Sequence, residues 1–128
     1  MKYNDLIPEL MVSNIDVSRE FYVDILGFKV EYERKEDKFI FLSLGGIQLM
    51  LEEGTEEALN SMKYPFGKGI NFSFGVDNVD EIYSRFLEKS YKIKSKLRTR
   101  KFRVNEEYLT VREFSVLDPD GYFIRVTD

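Results

Sequence analysis

The residue types that carry most enzyme chemistry are missing from this chain. It has no cysteine and no histidine. Thiolate nucleophiles, cysteine-based zinc sites, Ser-His-Asp triads and imidazole metal ligands are therefore excluded. Acid–base chemistry would have to use Asp, Glu, Tyr or Lys.

A basic run stands out against an otherwise acidic chain. Between residues 92 and 103 there are seven basic residues and no acidic one: Lys92, Lys94, Lys96, Arg98, Arg100, Lys101 and Arg103. Through Arg100 they alternate with other residues, so a strand would present them on one face, where they could grip phosphates beside Tyr91 and Phe102. The alternative is a solvated edge strand whose lysines prevent aggregation. The remaining chain holds 12 basic and 23 acidic residues, which favours the edge strand and argues against nucleic-acid binding.

A tight turn is predicted near the end of the chain, at Asp118-Pro119-Asp120-Gly121. Proline suits the first central position of a β-turn, and glycine tolerates its exit. The apolar runs on both sides predict a hairpin. The Asp-x-Asp-Gly spacing also occurs in calcium loops, but no Glu follows at the required distance.

Length and composition favour a single folded domain spanning residues 1–128, with 43% hydrophobic residues. No apolar run reaches 18 residues, so we expect no membrane span. The first residues lack the pattern of a signal peptide, and the expected location is cytoplasmic.

The order of elements repeats. The cap residues Ser13 to Asp16 predict a helix that ends at Gly27, and Asn78 predicts a second helix. Predicted strands are Leu6–Val12, Phe28–Glu33, Phe39–Leu44, Ile47–Leu51, Gly69–Val76, Tyr91–Leu97, a stretch near Phe102, Tyr108–Leu117 and Tyr122–Val126. A linker with one helical turn is expected from Glu52 to Phe66.

The amino-acid sequence itself repeats as well. Val12-Ser13-Asn14-Ile15-Asp16 matches Val76-Asp77-Asn78-Val79-Asp80 at an offset of 64 residues. The sequence therefore predicts an α+β fold of two pseudo-symmetric βαβββ modules, one over about 1–62 and one over about 66–128. We expect a curved mixed sheet with a concave cavity and helices outside.

Several separated motifs follow one another along the chain: Ile7-Pro8-Glu9-Leu10-Met11-Val12-Ser13-Asn14, Phe21-Tyr22 with Leu26-Gly27-Phe28, Arg112-Glu113-Phe114 and Asp118-Pro119-Asp120-Gly121. Together they resemble the motifs of the vicinal oxygen chelate superfamily, which includes glyoxalase, bleomycin-resistance and extradiol dioxygenase proteins. The resemblance implies that the metal-ligand positions of the enzymes fall on Ile7, Met50, Asn71 and Arg125. Ile and Met cannot bind a hard cation through their side chains, and Arg repels one. We therefore expect neither a metal nor another cofactor.

The resemblance is greatest to bleomycin-resistance proteins, which are homodimers that sequester a cationic glycopeptide without altering it. By this resemblance Pro8 marks a strand exchanged between subunits; the alternative is an ordinary edge strand. Groove positions fall on Glu31, Tyr32 and Phe39, although the two aromatics could simply pack one face of a sheet. Thr110 stands where the family has tryptophan, with Phe102 and Tyr108 as replacements. Arg112 and Arg125 complete the expected ligand-binding set.

The expected function is metal-free binding of a small molecule such as a glycopeptide antibiotic, by a homodimer that sequesters it. One alternative is an isomerase, lyase or transferase with a rearranged site that uses Glu or Tyr. Another is a metabolite sensor. If Arg125 points inward, it needs a carboxylate partner or an anionic ligand, which would argue against a cationic drug.

Overall fold

The computed structural model describes residues 1–128, which form two compact units, Met1–Phe66 and Gly67–Asp128. Unit 1 contains β1 (Glu9–Val12), α1 (Ile15–Arg19), a π-helical continuation (Glu20–Ile25), β2 (Lys29–Arg34), a 3₁₀ turn (Lys35–Asp37), β3 (Phe39–Leu44), β4 (Ile47–Glu53) and α2 (Glu56–Asn60). Unit 2 contains β5 (Asn71–Gly75), α3 (Val79–Glu88), β6 (Ser95–Val104), β7 (Glu107–Leu117) and β8 (Phe123–Thr127).

Each unit builds one four-stranded mixed sheet with the same topology. The spatial orders are β1-β4-β3-β2 and β5-β8-β7-β6. In both sheets the first strand pairs in parallel with the last, and the other pairs are antiparallel. The α+β fold of two βαβββ modules is thereby confirmed.

The strand registers preserve the repeat residue by residue. Glu9 lies opposite Met50 in unit 1, and Ser73 lies opposite Arg125 in unit 2. Glu9 and Ser73 are 64 positions apart, the offset found in the sequence. A β-bulge interrupts β2 in one sheet and β6 in the other. The two sheets therefore place Met50 and Arg125 at equivalent points.

The helix of unit 1 begins where the sequence predicts it. The Asn14 side chain accepts hydrogen bonds from the backbone N–H groups of Asp16 and Val17, and Gly27 has a φ of 96° just past the end. Its second half is π-helical, with Leu26 N–H bonded to Phe21 O. Apolar residues four and five apart suit both helix types, so the pattern does not distinguish them.

The core of unit 2 lies between α3 and one face of its sheet. Val79, Ile82 and Phe86 are buried on α3, and the Phe86 ring packs edge-to-face on Phe114 of β7, with centroids 5.6 Å apart. Alternate residues of the neighbouring strands, among them Val116, Ile124 and Val126, are also buried. Because side chains alternate along a strand, the residues between them face away from α3.

In the basic run the structure has one strand where the sequence predicts two. Residues 95–97 and Phe102 belong to a single ten-residue strand, β6, which forms a long hairpin with β7, whereas residues 91–94, also predicted as strand, precede it and are not in a strand. Because polar residues dominate β6, no hydrophobic alternation marks its length in the sequence. β6 lies at the edge of its sheet, as the edge-strand interpretation predicts.

The turn that closes unit 2 has the predicted form. Gly121 N–H donates to Asp118 O, and the Asp118 side chain accepts from the backbone N–H groups of Asp120 and Tyr122. Asp118 is only 2% exposed, so these bonds satisfy a buried carboxylate. The hairpin between β7 and β8 is confirmed.

None of the helices is long and apolar enough to cross a membrane.

Candidate functional site

A pocket of about 200 Å³ opens on the sheet of unit 2, on the face turned away from α3. All four strands of the sheet contribute to it. We call it the basic pocket; its lining residues are Asn71, Ser95, Arg98, Arg100, Glu113, Phe114, Ser115, Phe123 and Arg125.

Strand register explains why these side chains converge. Arg98 pairs with Glu113, and Ser115 pairs with Arg125, so the polar residues of three neighbouring strands share one face. Between Ser95 and Arg98 the register shifts by one residue. This bulge lets two side chains three positions apart both face the pocket.

The charges in the pocket do not balance. Three guanidinium groups meet one carboxylate. Glu113, with its side chain 8% exposed, binds Arg100 through Oε1 and Nη1 at 3.1 Å. The guanidinium of Arg100 also lies 4.9 Å from the centroid of the Phe102 ring. Arg98 and Arg125 form no ion pair.

Two buried polar atoms in the pocket have no hydrogen-bond partner. They are Nε of Arg125 and Oγ of Ser115, on residues that lie opposite each other in β8 and β7. Burying a polar group without a partner costs about 1–3 kcal/mol, and more for a charged one. An anion oxygen placed between them could accept a hydrogen bond from both. The arrangement therefore suits an anionic group.

The predicted ligand-binding residues of unit 2 divide between the two faces of its sheet. Arg125 lines the basic pocket, and Phe102 lies on the same face. Tyr108, Thr110 and Arg112 alternate with that face and point to the opposite side. There Nη1 of Arg112 donates to Oδ2 of Asp80 on α3 at 2.6 Å, which raises the pKa of Arg112 and lowers that of Asp80.

The other three predicted residues belong to unit 1 and contact their own neighbours. Glu31 pairs with Lys29 at 3.0 Å. The Tyr32 ring stacks on Phe41, with centroids 5.1 Å apart. Phe39 is 3% exposed, and its ring lies 3.9 Å from the guanidinium carbon of Arg34. In this structure Tyr32 and Phe39 contact neighbouring side chains of unit 1, and their role in ligand binding stays a prediction.

A second cleft, of about 330 Å³, lies in unit 1, and its charges are balanced. Its lining includes three acids and three cations: Asp16, Glu33, Glu53, Arg19, Lys35 and Lys38. A hydrogen bond from Arg19 lowers the pKa of Glu33, and one from Lys38 lowers the pKa of Glu53. The cleft carries no surplus charge that a ligand would neutralise, unlike the basic pocket.

Of the residues that line the basic pocket, only Arg125 belongs to the predicted ligand-binding set. Arg98 and Arg100 stood within the basic run, and neither was chosen as a binding residue. Ser115 was not singled out. The adjacent residues Arg112 and Glu113 predict side chains on opposite faces of a strand, one of them toward the cavity, but the sequence did not show that Glu113 is the one that faces the pocket.

Comparison with known proteins places the chain in a family. Residues 6–126 match the family model of the Glyoxalase/Bleomycin resistance protein/Dioxygenase superfamily. The chain belongs to that superfamily. Among curated proteins there is no significant match.

Several solved structures resemble the chain over nearly its whole length. A glyoxalase/bleomycin resistance protein/dioxygenase superfamily member from Vibrio splendidus 12B01 is 34% identical, covers 93% of this chain and 92% of its own, and has a TM-score of 0.44. TioX from Micromonospora sp. ML1 is 19% identical, covers 98% of both chains and has a TM-score of 0.72. The fosfomycin resistance protein FosX from Listeria monocytogenes is 19% identical, covers 99% of this chain and 93% of its own, and has a TM-score of 0.67.

The positions that correspond to the superfamily's metal ligands can now be located. Asn71 and Arg125 both line the basic pocket of unit 2. Met50 lies on β4 of unit 1, and Ile7 just precedes β1. Isoleucine and methionine side chains do not bind a hard cation, and arginine repels one. The residues at the positions that the resemblance assigns to metal ligands therefore do not fit the metal site of the superfamily's enzymes.

Proposed function

We propose that this protein binds a small anionic molecule in the basic pocket and sequesters it without changing it. The observation that carries the proposal is the buried Nε of Arg125, which has no partner in a pocket of three guanidinium groups and one carboxylate. An anionic ligand would supply the missing acceptor and neutralise the surplus charge.

Charge also selects among the candidate ligands. A cationic glycopeptide would bring positive groups toward Arg98 and Arg125, which have no acid of their own. An antibiotic-like ligand fits the proposal if it carries an acidic group. One structural relative is a fosfomycin resistance protein. At 19% identity that likeness concerns the fold alone. A role of this chain in resistance is therefore a proposal.

Isothermal titration of the purified protein with methylphosphonate, acetate and bleomycin tests the proposal. We expect the two anions to bind with one site per chain and bleomycin to give no saturable heat. Arg125→Met should weaken anion binding about tenfold or more, because a charge-assisted hydrogen bond is lost. Arg103→Met is the matched control, since Arg103 lies on the opposite face of β6. Equal affinities in both variants would contradict the proposal.

An enzyme is the second candidate, and Glu113 is the observation that favours it. It is the only carboxylate that lines the basic pocket, and it is nearly buried. An isomerase, lyase or transferase with this site would use Glu113 as its acid–base group. Mass spectrometry of a bound ligand after prolonged incubation separates the two. Recovery of an unchanged ligand supports sequestration, and a product abolished by Glu113→Gln supports the enzyme.

The quaternary structure that we propose is a homodimer, in line with the resemblance to bleomycin-resistance proteins. Two features of the first strand support it: β1 is an edge strand of four residues, and the preceding Leu6 is 82% exposed. In this structure Pro8 O accepts a hydrogen bond from Met50 N–H of the same chain. Sedimentation equilibrium distinguishes a 15.2 kDa monomer from a particle of twice that mass.

A further inference from the structure

The hairpin of β6 and β7 extends beyond the sheet that carries the basic pocket. β8 pairs with β7 only from Glu113 to Leu117. Residues 99–112 therefore form a two-stranded arm, in which Phe102 lies opposite Leu109 and Arg100 lies opposite Val111. We refer to residues 99–112 as the arm.

The two faces of the arm differ in character. Since Arg98 and Glu113 face the basic pocket, alternation places four apolar side chains on the same face: Phe102, Val104, Leu109 and Val111. We call these four residues the apolar strip. The opposite face carries Thr99, Lys101, Arg103, Tyr108, Thr110 and Arg112. Arg100 and Glu107 lie at the two ends of the strip on its own face, since they pair with Val111 and Val104. The arm is amphipathic, and its apolar strip continues the floor of the pocket.

The apolar strip is open to solvent in this structure. Val104 is 52% exposed and Leu109 is 54% exposed. An isolated two-stranded hairpin is only marginally stable in water, and covering its apolar face would stabilise it. An exposed apolar strip of this kind is typical of a surface that a bound molecule covers.

We propose that the apolar strip holds the apolar body of the ligand whose acidic group sits in the basic pocket. This inference rests on the proposed function and names the class of ligand: an amphipathic acid. Leu109 is four residues from Glu113, which corresponds to about 13 Å along a strand. The apolar body would extend about 10–15 Å from the acidic group, as an alkyl chain of eight to ten carbons or a pair of linked aromatic rings does.

The basic pocket and the apolar strip adjoin each other, which favours an amphipathic acid as the ligand. The Arg100 guanidinium contacts Glu113 on one side and the Phe102 ring on the other, so pocket and strip meet at one residue. A single small molecule with an acidic end matches both surfaces at once. A second protein chain would have to present an acid and an apolar surface at that same spacing.

Titration of the full chain with straight-chain carboxylates from acetate to decanoate tests the inference. Each added methylene that reaches the strip should raise the affinity about three- to fourfold, the factor that corresponds to burying one CH₂. An affinity that does not change with chain length would overturn the inference.

A pair of neighbouring substitutions localises the effect. Leu109→Glu places a charge on the strip, whereas Tyr108→Glu places the same charge on the opposite face of the same strand. Leu109→Glu should weaken decanoate binding about tenfold or more and leave acetate binding nearly unchanged. Tyr108→Glu should leave both near wild type. Circular dichroism checks the fold, and Leu109→Ser replaces Leu109→Glu if the latter unfolds.

The outcomes separate this inference from the proposed function. If short acids bind through Arg125 but gain nothing from length, the strip is not part of the site and the proposed function stands. If no acid of any length binds, the proposed function itself is wrong. If Leu109→Glu changes the sedimentation mass and leaves decanoate binding intact, the strip is a surface for self-association, and the inference is overturned.

Discussion

Arg125 and Arg100 lie in the same pocket but differ in the partners of their polar atoms. Arg100 neutralises the nearly buried Glu113, with a contact of 3.1 Å. Arg125 has a buried Nε without a partner, opposite the equally unpartnered Oγ of Ser115. In the unliganded protein the first arrangement neutralises a nearly buried carboxylate, whereas the second leaves the Nε–H group of the half-buried Arg125 without an acceptor.

Substituting each arginine by methionine should therefore move stability in opposite directions. Arg125→Met should raise the free energy of unfolding of the unliganded protein by about 1 kcal/mol, because a buried Nε–H group without an acceptor is replaced by an apolar side chain. Arg100→Met should lower it by about 1–2 kcal/mol, because Glu113 is left buried without a partner. Urea denaturation measures both. A destabilised Arg125→Met variant would show that Arg125 supports the fold rather than the ligand.

At the level of the elements, one ion pair links α3 to β7. Asp80 lies in the first turn of α3, where a negative charge is favourable, and its Oδ2 accepts from Nη1 of Arg112 at 2.6 Å. This hydrogen bond holds the pKa of Asp80 below its usual range and raises that of Arg112. The contact lies on the helix side of the sheet, so Arg112 contributes to the fold and not to the basic pocket.

The Asp80–Arg112 pair should make stability depend on pH on the acid side. Because the pKa of Asp80 is lowered in the folded state, the pair stabilises the protein above the pKa that Asp80 has when unfolded. That stabilisation is lost as the pH falls through the lowered value. Asp80→Asn should therefore be less stable than wild type at neutral pH, and the difference should shrink to nothing in acid.

Thermal unfolding at several pH values checks this expectation. Asp5→Asn is the control, since Asp5 is exposed and forms no ion pair. A destabilisation by Asp80→Asn that is equally large at pH 3 and pH 7 would mean that packing or helix capping, rather than the charge of Asp80, is responsible.

Across the whole molecule, the two units share a backbone plan but differ in charge. Unit 1 holds seven basic and 13 acidic residues, and unit 2 holds 12 basic and ten acidic ones. At equivalent positions of the two sheets, unit 1 has Met50 where unit 2 has Arg125. On the faces that carry these residues, unit 1 presents buried aromatics such as Phe41, and unit 2 presents the basic pocket.

The internal repeat in the amino-acid sequence was enough to predict the fold. Val12–Asp16 and Val76–Asp80 mark the start of the helix in each unit, and the strands follow in the same order. The spacing of apolar residues predicts these helices and strands, because the apolar side chains of each element must lie on the face that is buried. The π-helical stretch and the full length of β6 were not predicted, since the first shares its spacing with an α-helix and the second is mostly polar.

The basic pocket was predicted only through Arg125. Its other charged residues, Arg98, Arg100 and Glu113, converge because of strand pairing and a bulge in β6. Register is a tertiary property that depends on the pairing of distant segments, so the order of residues alone does not reveal it. Arg98 and Arg100 were visible in the sequence as part of a charge run, and Glu113 as part of the Arg112-Glu113-Phe114 motif, but the pairing of Arg100 with Glu113 was not predicted.

Nuclear magnetic resonance of the arginine Nε–H groups is the most direct test of anion binding at Arg125. The resonance of Arg125 is assigned by its loss in Arg125→Met, and the protein is titrated with methylphosphonate. We predict a saturable shift of that resonance, with smaller shifts at Arg98 and Arg100 and none at Arg103, which lies on the other face. An Arg125 resonance that stays in place while the anion binds elsewhere, or does not bind at all, would contradict anion binding in the basic pocket.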